Sequence, residues 1–159
     1  MRIAIKIKKL SQEAIVPTYQ TLGASGFDFH ALEDVMVFAG ETVLIRTGLS
    51  FELPEGYELQ VRPRSGLSLK SGLRIPNSPG TIDSDYRGEV MIMMENTRYN
   101  EYIVSSSGEK VPAYRIKRGD RIAQGVICPV LSGKNVLLLL TDNLSDTSRD
   151  SGGFGSTGE

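Results

Sequence analysis

The sequence has one cysteine, one histidine and almost no net charge, with 18 Lys and Arg against 19 Asp and Glu. The lone Cys128 forbids an internal disulfide and fits a reducing compartment. None is needed, because a chain of 159 residues is long enough for one domain that buries roughly two thirds of its unfolded surface. A formal charge of −1 at pH 7 argues against a general nucleic-acid binder. His30 has no Cys or His at metal-ligand spacing and reads as a surface residue. No apolar run approaches the roughly 18–20 residues of a membrane span. The opening MRIAIKIKKL alternates, without the apolar centre and small-residue cleavage site of a signal peptide. These absences lead us to expect a soluble, cytoplasmic protein with no nucleic-acid or membrane partner. Long amphipathic helices, internal repeats and interdomain linkers are missing as well.

What is present is a period of two. Ile3, Ile5 and Ile7 point one way; Arg2, Lys6 and Lys8 point the other, as in a half-buried strand. Further strands are expected over residues 35–38, 42–46, 49–53, 57–62, 89–95, 101–104, 114–117, 121–130 and 136–140. Turn signals such as Ala39-Gly40, Pro54-Glu55-Gly56 and Gly119-Asp120 separate them. Many short strands with frequent turns predict an all-β barrel or sandwich. Residues 65–71 have room for one or two helical turns. From about Ser145 the chain becomes polar and glycine-rich without periodicity, which marks a tail and not a core element.

Four segments carry more polar chemistry than ordinary turns. In GASGFDFHA, Asp28 alternates with Phe27 and Phe29, so it faces away from the core if the rings face it; a surface or turn aspartate would read the same. In RPRSGLSLKSG, the cations Arg62 and Arg64 lie close to Ser65, Ser68 and the amides near Gly66. That suits a polyanion, although a solvated basic turn has the same composition. In NSPGTIDSDYRGEV, four charged side chains fall within the seven residues 83–89. A carboxylate there, such as Asp83, can act as general base if it meets a bound water; an acidic loop with an internal Asp–Arg pair is the plainer alternative. In KRGDRIAQGVI, Gln124 shares a period-two face with Ile122 and Val126, and a buried amide on that face needs partners from backbone or ligand.

Taken in order with the tail, the segments SGFDF, PRSGL, GTIDSDYRGEV, GDRIAQ and RDSGGFGSTG resemble the five motifs of the trimeric deoxyuridine triphosphatases (dUTPases). The resemblance runs from residue 23 to 158. Its departures are small: Phe29 stands where leucine is usual, Thr81 where a larger apolar residue is common, and Asp150 follows Arg149 where a small residue is typical. The resemblance implies an all-β, jelly-roll-like distorted barrel over residues 1–144. It also implies a flexible glycine-rich lid over 145–159 and a homotrimer whose sites lie between subunits. One site would take the second and fourth motifs from one subunit, the third from a neighbour, and the tail from the remaining one.

The implied reaction is hydrolysis of dUTP to dUMP and pyrophosphate, which limits uracil in DNA and supplies dUMP for dTMP synthesis. Asp83 would activate the water that attacks the α-phosphorus. Arg64, Ser65, Gly66, Gln124 and Arg149 would hold the triphosphate together with the tail residues Gly155, Ser156 and Thr157. Phe154 would stack on the base. Asn77, Gly80 and Ile82 would read uracil, and Tyr86 would lie against the deoxyribose. Asp28 would act behind these groups, ordering metal-bound water or an arginine, and Mg²⁺ would ride on the phosphates and water without a protein cage. Residues 147–159 can span roughly 40 Å when extended, enough to reach another subunit, and glycine amides can turn toward phosphate oxygens. The related dCTP deaminases need a glutamate-centred site, whereas IDSDYRGE has the aspartate pattern of the diphosphatases. A non-catalytic nucleotide-sensing trimer is the other alternative; it has no need of Asp83, Tyr86 and the tail together.

Overall fold

Alternation and glycine punctuation place most of the strands. The computed structural model describes residues 2–153. Within them the chain forms β1 (Lys6–Lys9), β2 (Phe27–His30), β3 (Val35–Phe38), β4 (Thr42–Arg46), β5 (Leu49–Glu52), β6 (Tyr57–Arg62), α1 (Ser65–Lys70), β7 (Leu73–Arg74) and β8 (Gly80–Ile82). β9 (Met91–Asn96), β10 (Tyr102–Val104), β11 (Lys110–Ile116) and β12 (Arg121–Pro129) complete the order. The architecture is all-β apart from one six-residue helix, as the period of two predicts. β3, β4 and β6 fall on the expected residues. β7 and β8 are too short for periodicity to reveal.

Every strand pairing is antiparallel. The sheets are β1-β5, β10-β11-β3, β2-β12-β6-β8 and β4-β9-β7. The jelly-roll-like body is thus divided into sheets packed around one core; among the described residues its hydrogen bonds do not close into a cylinder. Phe27, Phe29 and Phe51 lie at the centre of that core, each at most 7 % exposed. The Phe27 and Phe51 rings stack with centroids 6.2 Å apart, and Phe29 meets Phe51 edge-on at 5.8 Å. Gly125 on β12 makes room for this cluster, since a Cβ there would lie 2.7 Å from Phe27 Cζ and 2.8 Å from Phe29 Cε2. With both phenyl rings inward, β2 must turn Asp28 to the opposite face.

Residues 136–140 depart from expectation. They form no strand, and all five side chains are exposed. Pattern alone does not make a strand: its backbone groups need a neighbouring strand to bond, and the described residues of this chain supply none.

Candidate active site

The sheet β2-β12-β6-β8 brings three of the sequence segments together. Gln124 on β12 stands opposite Asp28 on β2 and opposite Arg62 on β6. Gln124 is exposed, contrary to the expectation that it shares a face with Ile122. The pairing register shifts between Arg121 and Ala123, and a bulge of this kind reverses the phase of the residues beyond it. Ile122 and Ala123 are consequently both buried, and Gln124 emerges on the polar face beside Asp28.

Asp28 is buried, with a side chain only 9 % exposed. Arg64 Nε donates to its Oδ1 at 2.8 Å, and Arg121 Nη1 lies 3.4 Å from its Oδ2. Arg64 Nη1 also donates to the Arg121 carbonyl at 3.0 Å. A bound carboxylate fixes the direction of a guanidinium fork that would otherwise sample many rotamers. Removing one partner from such a pair would strand the other's charge out of water. Asp28 faces two guanidinium groups, and Asp120 is the second carboxylate bordering the same hollow. His30 adds no charge at neutral pH: burial, the largest influence, lowers its pKa, with Arg121 and Arg64 acting the same way against the opposing pull of Asp28. It is half-buried with an unpartnered Nδ1, so it is less superficial than expected.

Ser65 and Gly66 are exposed in the first turn of α1, just after Arg64, whose extended backbone precedes the helix. The far end of α1 is tied down where Thr97 N and Oγ1 both donate to the Gly72 carbonyl at 2.9 Å. Asn77 lies in the turn before β8, its amide nitrogen 3.4 Å from where a Cβ on Gly80 would be. Gly80 pairs with Val61 and Ile82 with Leu59. β8 is the edge strand of its sheet, so its other edge presents backbone N–H and C=O groups that no strand of the described chain occupies.

Asp83 follows Ile82 directly and is exposed. Its carbonyl accepts the Tyr86 amide at 3.2 Å, closing a turn. Arg87 tightens the turn by donating to the carbonyls of Ser84 at 2.7 Å and Tyr86 at 3.0 Å. In place of the alternative, an internal Asp–Arg pair, Arg87 sits on backbone oxygens, and the Asp83 carboxylate stays open to solvent.

The register separates Asp83 from the arginines. Asp83 is level with Glu58 on β6, whereas Arg64 lies beyond the other end of that strand. Six residues at about 3.3 Å each put them roughly 20 Å apart. They also line different concavities. Asp83, Asp85, Tyr57 and Leu131 border one of about 820 Å³; Arg64, Arg121, Tyr114 and Asp120 border another of about 280 Å³. Within one chain the two groups therefore stand at opposite ends of β6.

Arg149 is exposed, and its Nε donates to the Gly152 carbonyl within its own turn. Phe154, Gly155, Ser156 and Thr157 lie outside the described residues. Two positions that organise the polar groups around these segments are not singled out by the sequence. Arg121 directly follows the turn glycine Gly119, whose φ is +84°, and Asp120; its place in GDRIAQ was a usable signal. Glu89 was read only as part of a charge cluster, yet its carboxylate receives Arg46 Nε at 3.1 Å and the Gly48 amide at 2.8 Å.

These features define a class: jelly-roll-like all-β proteins that carry their polar groups on turns at the ends of one sheet. The chain belongs to the dUTPase family, whose sequence model matches residues 12–158. It is 50 % identical to the deoxyuridine 5′-triphosphate nucleotidohydrolase of Nautilia profundicola, over 98 % of this chain and 99 % of the relative. It is 49 % identical to the protein of that name from Hydrogenobaculum sp., over 96 % of each. Among solved structures, the dUTPase of Staphylococcus bacteriophage 80alpha with dUpNHpp superposes with a TM-score of 0.85 at 30 % identity, covering 98 % of this chain and 99 % of that one. A variant dUTPase from phage phi11 of S. aureus, in which a structural Mg(II) ion is coordinated, superposes at 0.78 with 28 % identity, over 88 % of this chain and 97 % of that one.

Proposed function

We propose that this chain is a dUTP diphosphatase that hydrolyses dUTP to dUMP and pyrophosphate in sites shared between three copies. The observation that carries the shared site is the distance along β6 between Asp83 and Arg64. Both belong to the family's motifs, so a site that uses both takes them from different copies. The exposed apolar side chains of 136–140, with Leu131 and Leu144, support assembly, because a surface of this kind marks a contact face.

In this reading Arg64, held by Asp28, and Gln124, Ser65 and the Gly66 amide bind the triphosphate of one site. Asp28 thus acts by aiming an arginine. Asp83 of a neighbouring copy receives a proton from the water that attacks the α-phosphorus. The reaction needs positioning and charge neutralisation more than covalent chemistry. The free edge of β8 at Gly80 and Ile82, with the Asn77 amide, reads the donor–acceptor edge of uracil. The body is residues 1–144. Residues 145–159, with Arg149, Phe154, Gly155, Ser156 and Thr157, close over the nucleotide bound in another copy's site.

Among the described residues no group of three or more His, Cys, Asp or Glu side chains could hold a metal ion, and both Asp28 oxygens already face arginines. In the proposed reaction Mg²⁺ would ride on the substrate's phosphates and water, its usual manner of binding, where it would neutralise charge. No helix among the described residues is long and apolar enough to cross a membrane, and a cytoplasmic location is part of the proposal.

Pyrophosphate release measured across dUTP, dCTP, dTTP and UTP tests the function. We expect turnover of dUTP, with kcat/KM for dCTP lower by on the order of 10³ or more, because a mismatched base edge leaves buried polar groups unpaired. Equal rates on all four nucleotides, or ammonia release from dCTP, would contradict the reading.

A further inference from the structure

Tyr86 is 41 % exposed, yet it is not a free surface side chain. Its hydroxyl donates to the Glu89 carbonyl at 3.1 Å, so the ring lies back across Gly88. A Cβ on Gly88 would sit 2.5 Å from Tyr86 Cζ and 3.0 Å from Cε2, and closer still to the hydroxyl; all three of its nearest atoms belong to Tyr86. Gly88 does not occupy the left-handed region, so alanine is compatible with its backbone. What requires glycine here is the tyrosine ring.

The limb beneath the ring is fixed. Besides the two bonds to the Glu89 carboxylate already described, Ser50 Oγ donates to the Arg87 carbonyl at 2.7 Å. The Val90 amide donates to the Leu49 carbonyl at 2.8 Å, and Thr47 Oγ1 donates to the Val90 carbonyl at 2.5 Å. Residues 87–90 are thus fastened to the corner between β4 and β5. The Glu89 side chain is 15 % exposed and its Arg46 partner 47 %, so the bond from the Gly48 amide is the better shielded of the two and the stronger for it.

We infer that Gly88 and Glu89 are positioning residues that dock the Tyr86 ring as a rigid wall and so determine how strictly the site refuses a ribonucleotide. The inference rests on the proposed contact of Tyr86 with the deoxyribose. A wall excludes a 2′-hydroxyl by overlap only if it cannot swing aside. Here the hydroxyl bond to Glu89 and the close seat on Gly88 hold it.

The test is the ratio of kcat/KM for UTP to that for dUTP in Tyr86→Ala, Gly88→Ala, the double variant and Tyr86→Phe, with thermal unfolding as a check on folding. Tyr86→Ala should raise the ratio by about 10-fold or more, the scale on which a small steric feature discriminates. Gly88→Ala should raise it comparably, because the displaced atoms are the far end of one side chain and the fold need not change. In the double variant the alanine at 88 meets no ring, so the ratio should match that of Tyr86→Ala alone, a plain failure of additivity. Tyr86→Phe, which loses only the bond to Glu89, should raise the ratio by less. If Tyr86→Ala relaxes discrimination while Gly88→Ala leaves it within about twofold, the inference is overturned and the sugar contact stands. If Tyr86→Ala itself changes nothing, the sugar contact fails and takes the inference with it. Should Gly88→Ala not fold, Tyr86→Phe decides alone, and an unchanged ratio overturns the inference.

Discussion

Asp83→Asn binds an imido analogue of dUTP as the parent does and hydrolyses dUTP slower by about 10²–10⁴-fold, the usual contribution of a positioned general base. The carboxylate is exposed, and the turn around it is closed by its backbone carbonyl and by Arg87 on neighbouring carbonyls, not by the carboxylate itself. Asparagine preserves that turn and changes little else; substitutions at such surface positions usually shift stability within about 0.5 kcal/mol. Arg64, proposed to hold the triphosphate, lies beyond the far end of β6 and is untouched. What asparagine cannot do is take a proton from water. Pyrophosphate release and calorimetric titration of the analogue separate the two properties. Turnover within tenfold of the parent would remove Asp83 from the role of base.

Deleting residues 147–159 has the second large effect. The truncated protein keeps its melting temperature within a few degrees and loses on the order of 10² or more in dUTP turnover, as expected when fixed donors to a charged transition state are removed. The removed segment contains Arg149 and the proposed phosphate and base contacts. Its described part, 147–153, bonds within its own turn and supports no core strand. Ordering such a segment costs entropy, so its contribution should appear only with a polyphosphate bound. Normal hydrolysis by the truncated protein would end the lid reading.

Local pattern made the body legible. β4 and β6 alternate and are bounded by glycine turns, so periodicity placed them. The facing of Asp28 also followed from the two phenyl rings beside it. Its burial did not, because that depends on arginines 36 and 93 residues away in sequence. Gln124 was assigned to the wrong face since a single bulge reverses the phase of β12 and leaves no compositional mark. Residues 136–140 have the apolar content of a strand, but pairing requires a partner that pattern does not reveal. The need for glycine at position 88 comes from a ring folded back from two residues earlier, which no turn rule anticipates.

Mixing two inactive variants tests the shared site most directly. Asp83→Asn and Arg64→Ala, carrying different tags, are refolded together at equal amounts, and assemblies holding both tags are purified. If Asp83 and Arg64 serve one site from different copies, a cyclic trimer of mixed composition has about one third of its sites intact, and dUTP hydrolysis returns to that order of the parental rate. If the mixed assemblies form and stay as inactive as their components, each site draws both residues from a single chain and the account is wrong.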